Sequence, residues 1–397
     1  MPVTDVLTHS ISPARKAAFD VLETVSSGGY ASDAARLATA TISARDAGLA
    51  RQIIFGCLRY QAQLDHSIAA YSGRAPGKLD GIVAIALRAG IFQMRYLERI
   101  PAHAAVHDSV EYVKHRKRAA AGLTNAVLRK VNRSPVIWPD SATELSCPDW
   151  LLARWTKHFS PELAREIAGA ALAEPIPYIR VRPGDELPPD LELEATGVAG
   201  AYRLLSPAPS GIRLHDISSQ SIVPLVALQP GLRYLDLCAA PGNKTLQALE
   251  TPLSLAVACD ISPARIRDVP PACQRVVLDA SEPLPFGMLF DRIFIDAPCS
   301  GTGTLGRNPE IKWRLRERDL ARFAEKQLAI ARQAARLLAP GGKLVYATCS
   351  LEQEENEEVV RALLEEEPSL RHEREIWRIP GREEGDGFFA AVLTRPF

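Results

Sequence analysis

No apolar run in this 397-residue chain is long enough to cross a membrane as a helix, and its first residues show no apolar leader. A protein neither membrane-bound nor exported is therefore expected. Short cysteine spacings are also missing. The seven cysteines form no CxxC pair, so neither a zinc site nor a disulfide framework is indicated, and reduced thiols in a cytoplasm are expected. Net charge is absent as well, because 47 Lys+Arg balance 47 Asp+Glu. That zero hides an asymmetry: residues 1–140 hold 18 Lys/Arg against 11 Asp/Glu, whereas residues 351–397 hold 6 against 13. A basic amino-terminal part suits a phosphate-rich partner, although an ordinary solvated surface explains the charge equally well.

With 47% hydrophobic residues, a chain of this length can build two or three packed cores. Residues 1–140 read as a helical bundle. Ala17, Ala18, Val21, Leu22 and Val25 recur at helical spacing behind a Ser12-Pro13 cap, and Leu49–Leu64, Leu79–Leu97, Ala104–Arg116 and Leu123–Val131 continue the pattern. A basic cluster, Lys114 to Arg118, puts positive charge on one side. Residues 141–215 read as a small α+β module, with a helix over Trp150–Ala173 and strands over Tyr178–Val181 and Tyr202–Leu205. From 216 to 397 strands and helices alternate, which predicts a parallel α/β sheet. Its strands are Tyr234–Leu237, Leu253–Cys259, Arg275–Leu278, Asp291–Ile295 and Lys343–Ala347. A helix over Glu317–Leu338 stops at Pro340-Gly341-Gly342, and Ile376–Ile379 with Phe388–Leu393 form an antiparallel edge pair.

The first strand of this sheet runs into Cys238-Ala239-Ala240-Pro241-Gly242-Asn243-Lys244 and then a helix. Small side chains let backbone amides approach a ligand at a helix amino terminus. The turn is neither GxGxxG nor a P-loop, so phosphate cradling is not indicated. Asp260, Asp279 and Asp296 stand at successive strand ends. Singly, each reads as a loop cap. Together they fit a nucleoside that carries a positive centre, with Asp260 on the ribose hydroxyls. S-adenosylmethionine is such a ligand.

Two cysteines complete the set, each followed by serine and each at the end of an apolar run: Cys299 in Asp296-Ala297-Pro298-Cys299-Ser300-Gly301 and Cys349 in Ala347-Thr348-Cys349-Ser350. A single cysteine is most simply a small core hydrophobe. Two thiols in matched strand-end contexts beside a nucleotide turn indicate nucleophilic chemistry. His103 and His107 are spaced as a metal pair but lack a third ligand, so helix packing or RNA contact is expected. The acids of Gln353–Glu358 read as a solvated face. Lys312, Trp313 and Arg314 read either as contacts to an RNA strand or as a helix start packing one tryptophan.

CAAPGNKT, DAPCSGTG, NPEIKWR and YATCSLEQEENEEVV resemble the motifs of the NOL1/NOP2/Sun RNA 5-methylcytosine methyltransferases. The amino-terminal helices resemble the NusB-like RNA-binding domain of that family's RsmB/Sun branch, which methylates 16S ribosomal RNA. The resemblance implies three parts: a NusB-like bundle, an RRM-like module and a Rossmann-like class I S-adenosylmethionine-dependent methyltransferase domain. It places the methyl-donor contacts on Cys238, Ala239, Ala240, Pro241, Gly242, Asn243, Lys244, Asp260, Asp279 and Asp296. It makes Cys349 the nucleophile, Cys299 the group associated with product release, and Asp296 a partner of the cytosine edge. It also implies RNA as substrate, no metal, and a monomer in the cytoplasm. Transfer RNA as substrate and a non-catalytic RNA-binding assembly factor stay open as alternatives. Two departures from the family pattern stand out. Asn243 replaces a usual glycine, which a positive φ would tolerate, and the Asp260–Asp279 stretch with Pro270-Pro271 is too short for the usual helix.

Overall fold

The computed structural model describes residues 11–182, 184–209 and 211–397. Residues 1–10, on which the expected lack of a leader rests, lie outside the described residues. The chain divides into two units, Met1–Leu172 with Gly306–Arg314, and Ala173–Leu305 with Leu315–Phe397.

The first unit is helical: α1 (Pro13–Ser26), α2 (Ala31–Thr39), α3 (Ala44–Arg59), α4 (Gln61–Ser72), α5 (Gly81–Tyr96), α6 (Ala102–Arg116), α7 (Ala121–Leu128), α8 (Ser141–Glu144), α9 (Asp149–His158) and α10 (Pro161–Ala170). Helix α5 is its apolar centre, capped by Asp80, whose carboxylate accepts from Ile82 N. The single helix expected over Leu49–Leu64 breaks at Tyr60 between α3 and α4. Apolar spacing runs in phase across that break, so periodicity does not register it. The helix expected over Trp150–Ala173 is likewise two. The first ends at His158 with Phe159 as its C-cap, and Ser160 caps the second through Leu163 N, with Pro161 at N1. Ser12 does not cap α1 with its side chain: its hydroxyl donates instead to Asp108 Oδ2 at 2.8 Å, beside the buried Arg15–Asp108 pair.

The expected positive side of this bundle is largely neutralised. Lys114 pairs with Glu111, Arg116 with Asp20 and Glu23, and Lys117 with Asp80. His107 Nδ1 sits 3.0 Å from Asp108 Oδ1, and no group of three or more His, Cys, Asp or Glu able to hold a metal exists among the described residues. Helix α13 (Ile311–Arg314), from much later in the chain, also belongs to this unit. Lys312 is 2% exposed and its Nζ donates to Arg59 O and Ser146 O, while Trp313 Nε1 donates to Leu58 O. Lys312 therefore packs inside the protein rather than facing an RNA strand, and the half-buried Trp313 is tied to the bundle by its indole N–H.

The second unit opens with a three-stranded antiparallel sheet in the order β1 (Tyr178–Arg180), β3 (Ala201–Leu204), β2 (Leu193–Ala195). Strand β2 lies in the Pro- and Glu-rich stretch that carries no strand pattern. Helix α11 (Ile217–Ile222) leads into a seven-stranded sheet built from β4 (Arg233–Leu237), β5 (Leu255–Asp260), β6 (Gln274–Val277), β7 (Phe290–Asp296), β8 (Leu338–Thr348), β9 (Arg371–Arg378) and β10 (Phe388–Thr394), in the order β6-β5-β4-β7-β8-β10-β9. Strands β4 to β8 are parallel, and β10 runs antiparallel to β8 and β9. Helices α12 (Asn243–Ala248), α14 (Asp319–Arg336) and α15 (Glu357–Glu366) connect them.

Two expectations need correction. Of the expected edge pair only β9 lies at an edge; β10 is interior, and the Phe388–Leu393 run is buried along its whole length. Helix α14 stops at Arg336, and the Pro-Gly-Gly segment is already part of β8. The link between Asp260 and Asp279 holds only a short 3₁₀ turn, Arg265–Asp268, as its length requires.

Candidate active site

The carboxyl ends of the parallel strands gather the residues singled out above, where ligands bind in open α/β sheets. Strand β4 ends into the Cys238–Lys244 turn. Cys238 takes a φ of 64° and Gly242 a φ of 97°. Glycine is required at 242, since a Cβ there would lie 2.8 Å from Val269 Cα. Positive φ therefore falls on Gly242, and Asn243 is the first residue of α12. Asn243 keeps its place by donating from Nδ2 to Leu214 O at 2.9 Å and accepting from Arg213 at Oδ1.

Asp260 closes β5 and braces the turn: its Oδ2 accepts from Ala240 N at 3.1 Å and its Oδ1 from Ser262 N at 2.8 Å. A carboxylate so used still has acceptor capacity for a ligand hydroxyl. Asp279 is held below the usual carboxylate range by the Ser281 hydroxyl and amide, and its Oδ2 stands 3.8 Å from Lys326 Nζ. Asp236, inside β4, is fully buried, and burial pushes its carboxyl up to about 7, against the Thr245 hydroxyl that donates to Oδ2.

Asp296, at the end of β7, pairs with Lys244 at 2.7 Å between Oδ2 and Nζ. Burial works to lower the lysine's pKa, but the Asp296 carboxylate, with smaller help from Cys349 and Asp236, raises it, so the ammonium is kept. Cys299 and Cys349 leave the neighbouring strands β7 and β8, and their Sγ atoms stand 3.3 Å apart. Both thiols are half-buried. The Cys299 thiol is pushed well up, first by its hydrogen bond with Cys349, then by burial and by the charges of Cys349 and Glu355.

The turn, Asp260, Lys244–Asp296 and the two thiols thus come together at one end of one sheet. Beneath the thiols lies a layer the acidic stretch does not reveal. Glu355 is fully buried rather than solvated. Its Oε1 accepts from Ser300 N at 2.8 Å and Gln327 Nε2 at 2.9 Å, and its Oε2 accepts from the hydroxyls of Ser300 and Ser350. Asn356 is buried next to it, bonded to Thr348 and Ser350. The repeated Cys-Ser pair was the sequence signal for this layer, since two serines in matched positions call for a common acceptor.

Comparison with known proteins agrees with this arrangement. Residues 223–394 match the family model described as 16S rRNA methyltransferase RsmB/F, and residues 12–133 match the NusB family. The ribosomal RNA small subunit methyltransferase B of Vibrio cholerae serotype O1 is 33% identical over 422 residues, covering 96% of each chain. That of Klebsiella pneumoniae strain 342 is 33% identical over 395 residues, 89% of this chain and 91% of its own. Among solved structures, PH0851 shares the fold with a TM-score of 0.81 at 22% identity, over 97% of this chain and 99% of that one. NSun6 from Pyrococcus horikoshii with SFG gives 0.55 at 18%, over 62% and 98%. Four aspartates and one paired lysine around a small-residue turn suit a cationic nucleoside and offer a polyphosphate little. The chain belongs to the RsmB/F family of 16S rRNA methyltransferases, with a NusB domain at its amino end, and is an S-adenosylmethionine-dependent RNA methyltransferase.

Proposed function

We propose that the enzyme forms 5-methylcytosine in small-subunit ribosomal RNA through a covalent cysteine adduct. The observation that carries this reading is the pair of facing thiols, 3.3 Å apart, on the two strands beside the Lys244–Asp296 pair.

When bound, S-adenosylmethionine supplies an electrophilic methyl group. Residues 238–244 and Asp260 would hold it, with Asp260 taking the ribose and Asp279 lying toward the base. Carbon 5 of cytosine is too poor a nucleophile to take that methyl unaided. Cys349 Sγ adds to carbon 6, the sulfur–carbon bond forms, and carbon 5 gains enamine character. Asp296 meets the cytosine edge, and the ammonium of Lys244 paired with it supplies the positive charge and proton that answer the negative charge developing on ring nitrogen 3. After transfer a water molecule takes the carbon-5 proton, the electrons of that bond restore the ring double bond, and the bond from Cys349 to carbon 6 breaks with the sulfur leaving as thiolate. Cys299 Sγ, 3.3 Å from Cys349 Sγ, stands where its S–H can meet that sulfur as it departs. The target base leaves its stack to reach these groups.

Labelled S-adenosylmethionine and unmodified small-subunit RNA test the reading. Label should appear on cytosine carbon 5 with the native enzyme and vanish with Cys349→Ala. Cys299→Ala should retain the RNA as an adduct that survives denaturing electrophoresis. A fully active Cys349→Ala variant would remove the nucleophile assignment, and transfer to transfer RNA alone would move the substrate.

A further inference from the structure

The two sulfurs are close, but the residues that keep them close are not themselves thiols. Cys299 is flanked by Pro298 and Ser300. Gln327 Nε2 donates to Pro298 O at 3.0 Å and also to Glu355 Oε1, while Ser300 gives both its amide and its hydroxyl to Glu355. Cys349 is flanked by Thr348 and Ser350. The Thr348 hydroxyl donates to Asn356 Oδ1 at 2.6 Å, Asn356 Nδ2 donates to Ser350 O at 3.0 Å, and the Ser350 hydroxyl donates to Glu355. Every flank of both cysteines therefore ends on Glu355, on Asn356 beside it, or on Gln327. The loops also touch directly, Gly303 N donating to Cys349 O and Leu351 N to the Thr302 hydroxyl.

Four donors on one buried carboxyl group fill its acceptor sites. Burial pushes the Glu355 carboxyl above the usual carboxylate range, and the hydrogen bonds from Ser300, Ser350 and Gln327 work against that rise, so these donors are what favour a carboxylate in the interior. Its charge also lies close enough to Cys299 to disfavour a second anion on that sulfur.

We propose that Glu355 is the positioning residue of the thiol pair: with Ser300, Ser350 and Gln327 it fixes the separation of the two sulfurs and holds both flanks of Cys299 while reaching Cys349 through Ser350 alone, which leaves Cys349 Sγ the one to attack. The inference rests on Cys349 as the attacking group and adds what makes the two cysteines unequal. Asparagine or glutamine at 355 cannot replace it, because a carboxamide presents one acceptor oxygen and turns two donor hydrogens toward groups that are themselves donors.

The test compares native enzyme with Glu355→Gln. Limiting iodoacetamide followed by peptide mass spectrometry should modify Cys349 at least tenfold faster than Cys299 in the native protein, and at nearly equal rates in the variant. Buried Cys57, Cys147 and Cys259 report folding in the same samples by staying unmodified. Turnover should fall about 10- to 100-fold, as for other residues that orient a reacting group, with the KM for S-adenosylmethionine within twofold and the pH profile of kcat/KM displaced. Should Glu355→Gln expose the buried cysteines, Ser350→Ala removes one arm only and should still narrow the Cys349:Cys299 ratio. Retained selectivity in a folded variant overturns the proposal, whether or not turnover falls. Cys349→Ala, run alongside, separates the two failures: if it stays active the covalent mechanism is wrong, and if it is dead while Glu355→Gln keeps its selectivity only the role of Glu355 is wrong.

Discussion

The Sγ atoms of Cys299 and Cys349 lie 3.3 Å apart, although 50 residues of chain separate them. Adjacent parallel strands bring them there, and the loops that carry them share one acceptor below. A pair so placed should close under mild oxidation. Diamide, itself reduced to the hydrazine, should join the two sulfurs as both thiol protons are lost. Two of the seven thiols should then disappear from a thiol titration, activity should fall in step, and dithiothreitol should restore both. Peptide mapping that places the new bond elsewhere, or activity that persists with the bond formed, would contradict the proximity argument.

Lys244 and Asp296 act as one unit, and their removal should not be additive. Asp296→Asn should lower kcat about 100-fold, the scale expected when a group that stabilises developing charge is lost. Lys244→Met should cost a similar amount, since it frees Asp296 from the orientation its ammonium imposes. The double variant should be hardly worse than the poorer single one. A double-mutant cycle on kcat/KM checks this: coupling of about 1–3 kcal/mol is expected for groups in direct contact, and coupling near zero would show that the ion pair of 2.7 Å does not matter to turnover.

Gly242→Ala should impair cofactor binding with little effect on the fold. Its φ of 97° costs an alanine about 1–2 kcal/mol. The added methyl would also meet Val269 Cα at 2.8 Å and Pro270 Cδ at 2.9 Å, so the Val269–Pro270 segment must move. Isothermal titration with S-adenosylmethionine should show affinity at least tenfold weaker. Native-like affinity would mean that the turn does not hold the donor.

The parts of the molecule legible in the sequence are those whose physics is local. Alternating strand and helix signals placed β4 to β8 within a few residues, except that β8 starts earlier, because backbone pairing across a Pro-Gly-Gly segment is decided by the neighbouring strands. The cysteines and the strand-end aspartates were legible because exposure at a strand end constrains residue type. Glu355 was not. Among the neighbouring acids of 352–358 its charge looks like a surface run, yet Glu352 and Glu355 are both buried, and the serines at 300 and 350, brought together by long-range pairing of β7 with β8, are what hold Glu355 inward. Lys312 and Trp313 stayed open in the sequence for the opposite reason: a lysine beside a tryptophan fits an RNA contact as well as a packed helix start, and only backbone carbonyls distant in sequence mark the lysine as buried. Asn243 shows the limit of arguing from residue type alone, since the positive φ fell on its glycine neighbour.

Lys312 gives the last prediction, one in which sign decides. Burial lowers its pKa from 10.5 to about 7, while Nζ donates to Arg59 O at 2.9 Å and Ser146 O at 2.8 Å. Below about pH 7 both folded and unfolded chains carry the proton, and the cost of burying the ammonium is constant. Between about 7 and 10.5 the unfolded chain binds a proton that the folded chain does not, so this group's contribution to stability rises with pH across that window. Native enzyme should therefore gain on Lys312→Met as pH is raised from 6.5 to 9.5 in urea unfolding followed at each pH. A difference that stays flat or shrinks would rule out burial as the cause. RNA binding supplies the second arm. A lysine on a phosphate steepens the dependence of affinity on salt by about one unit of log–log slope, and its removal reduces that slope. A lysine held by two carbonyls inside the protein does not, so Lys312→Met should leave the salt slope unchanged while it alters the pH dependence of stability.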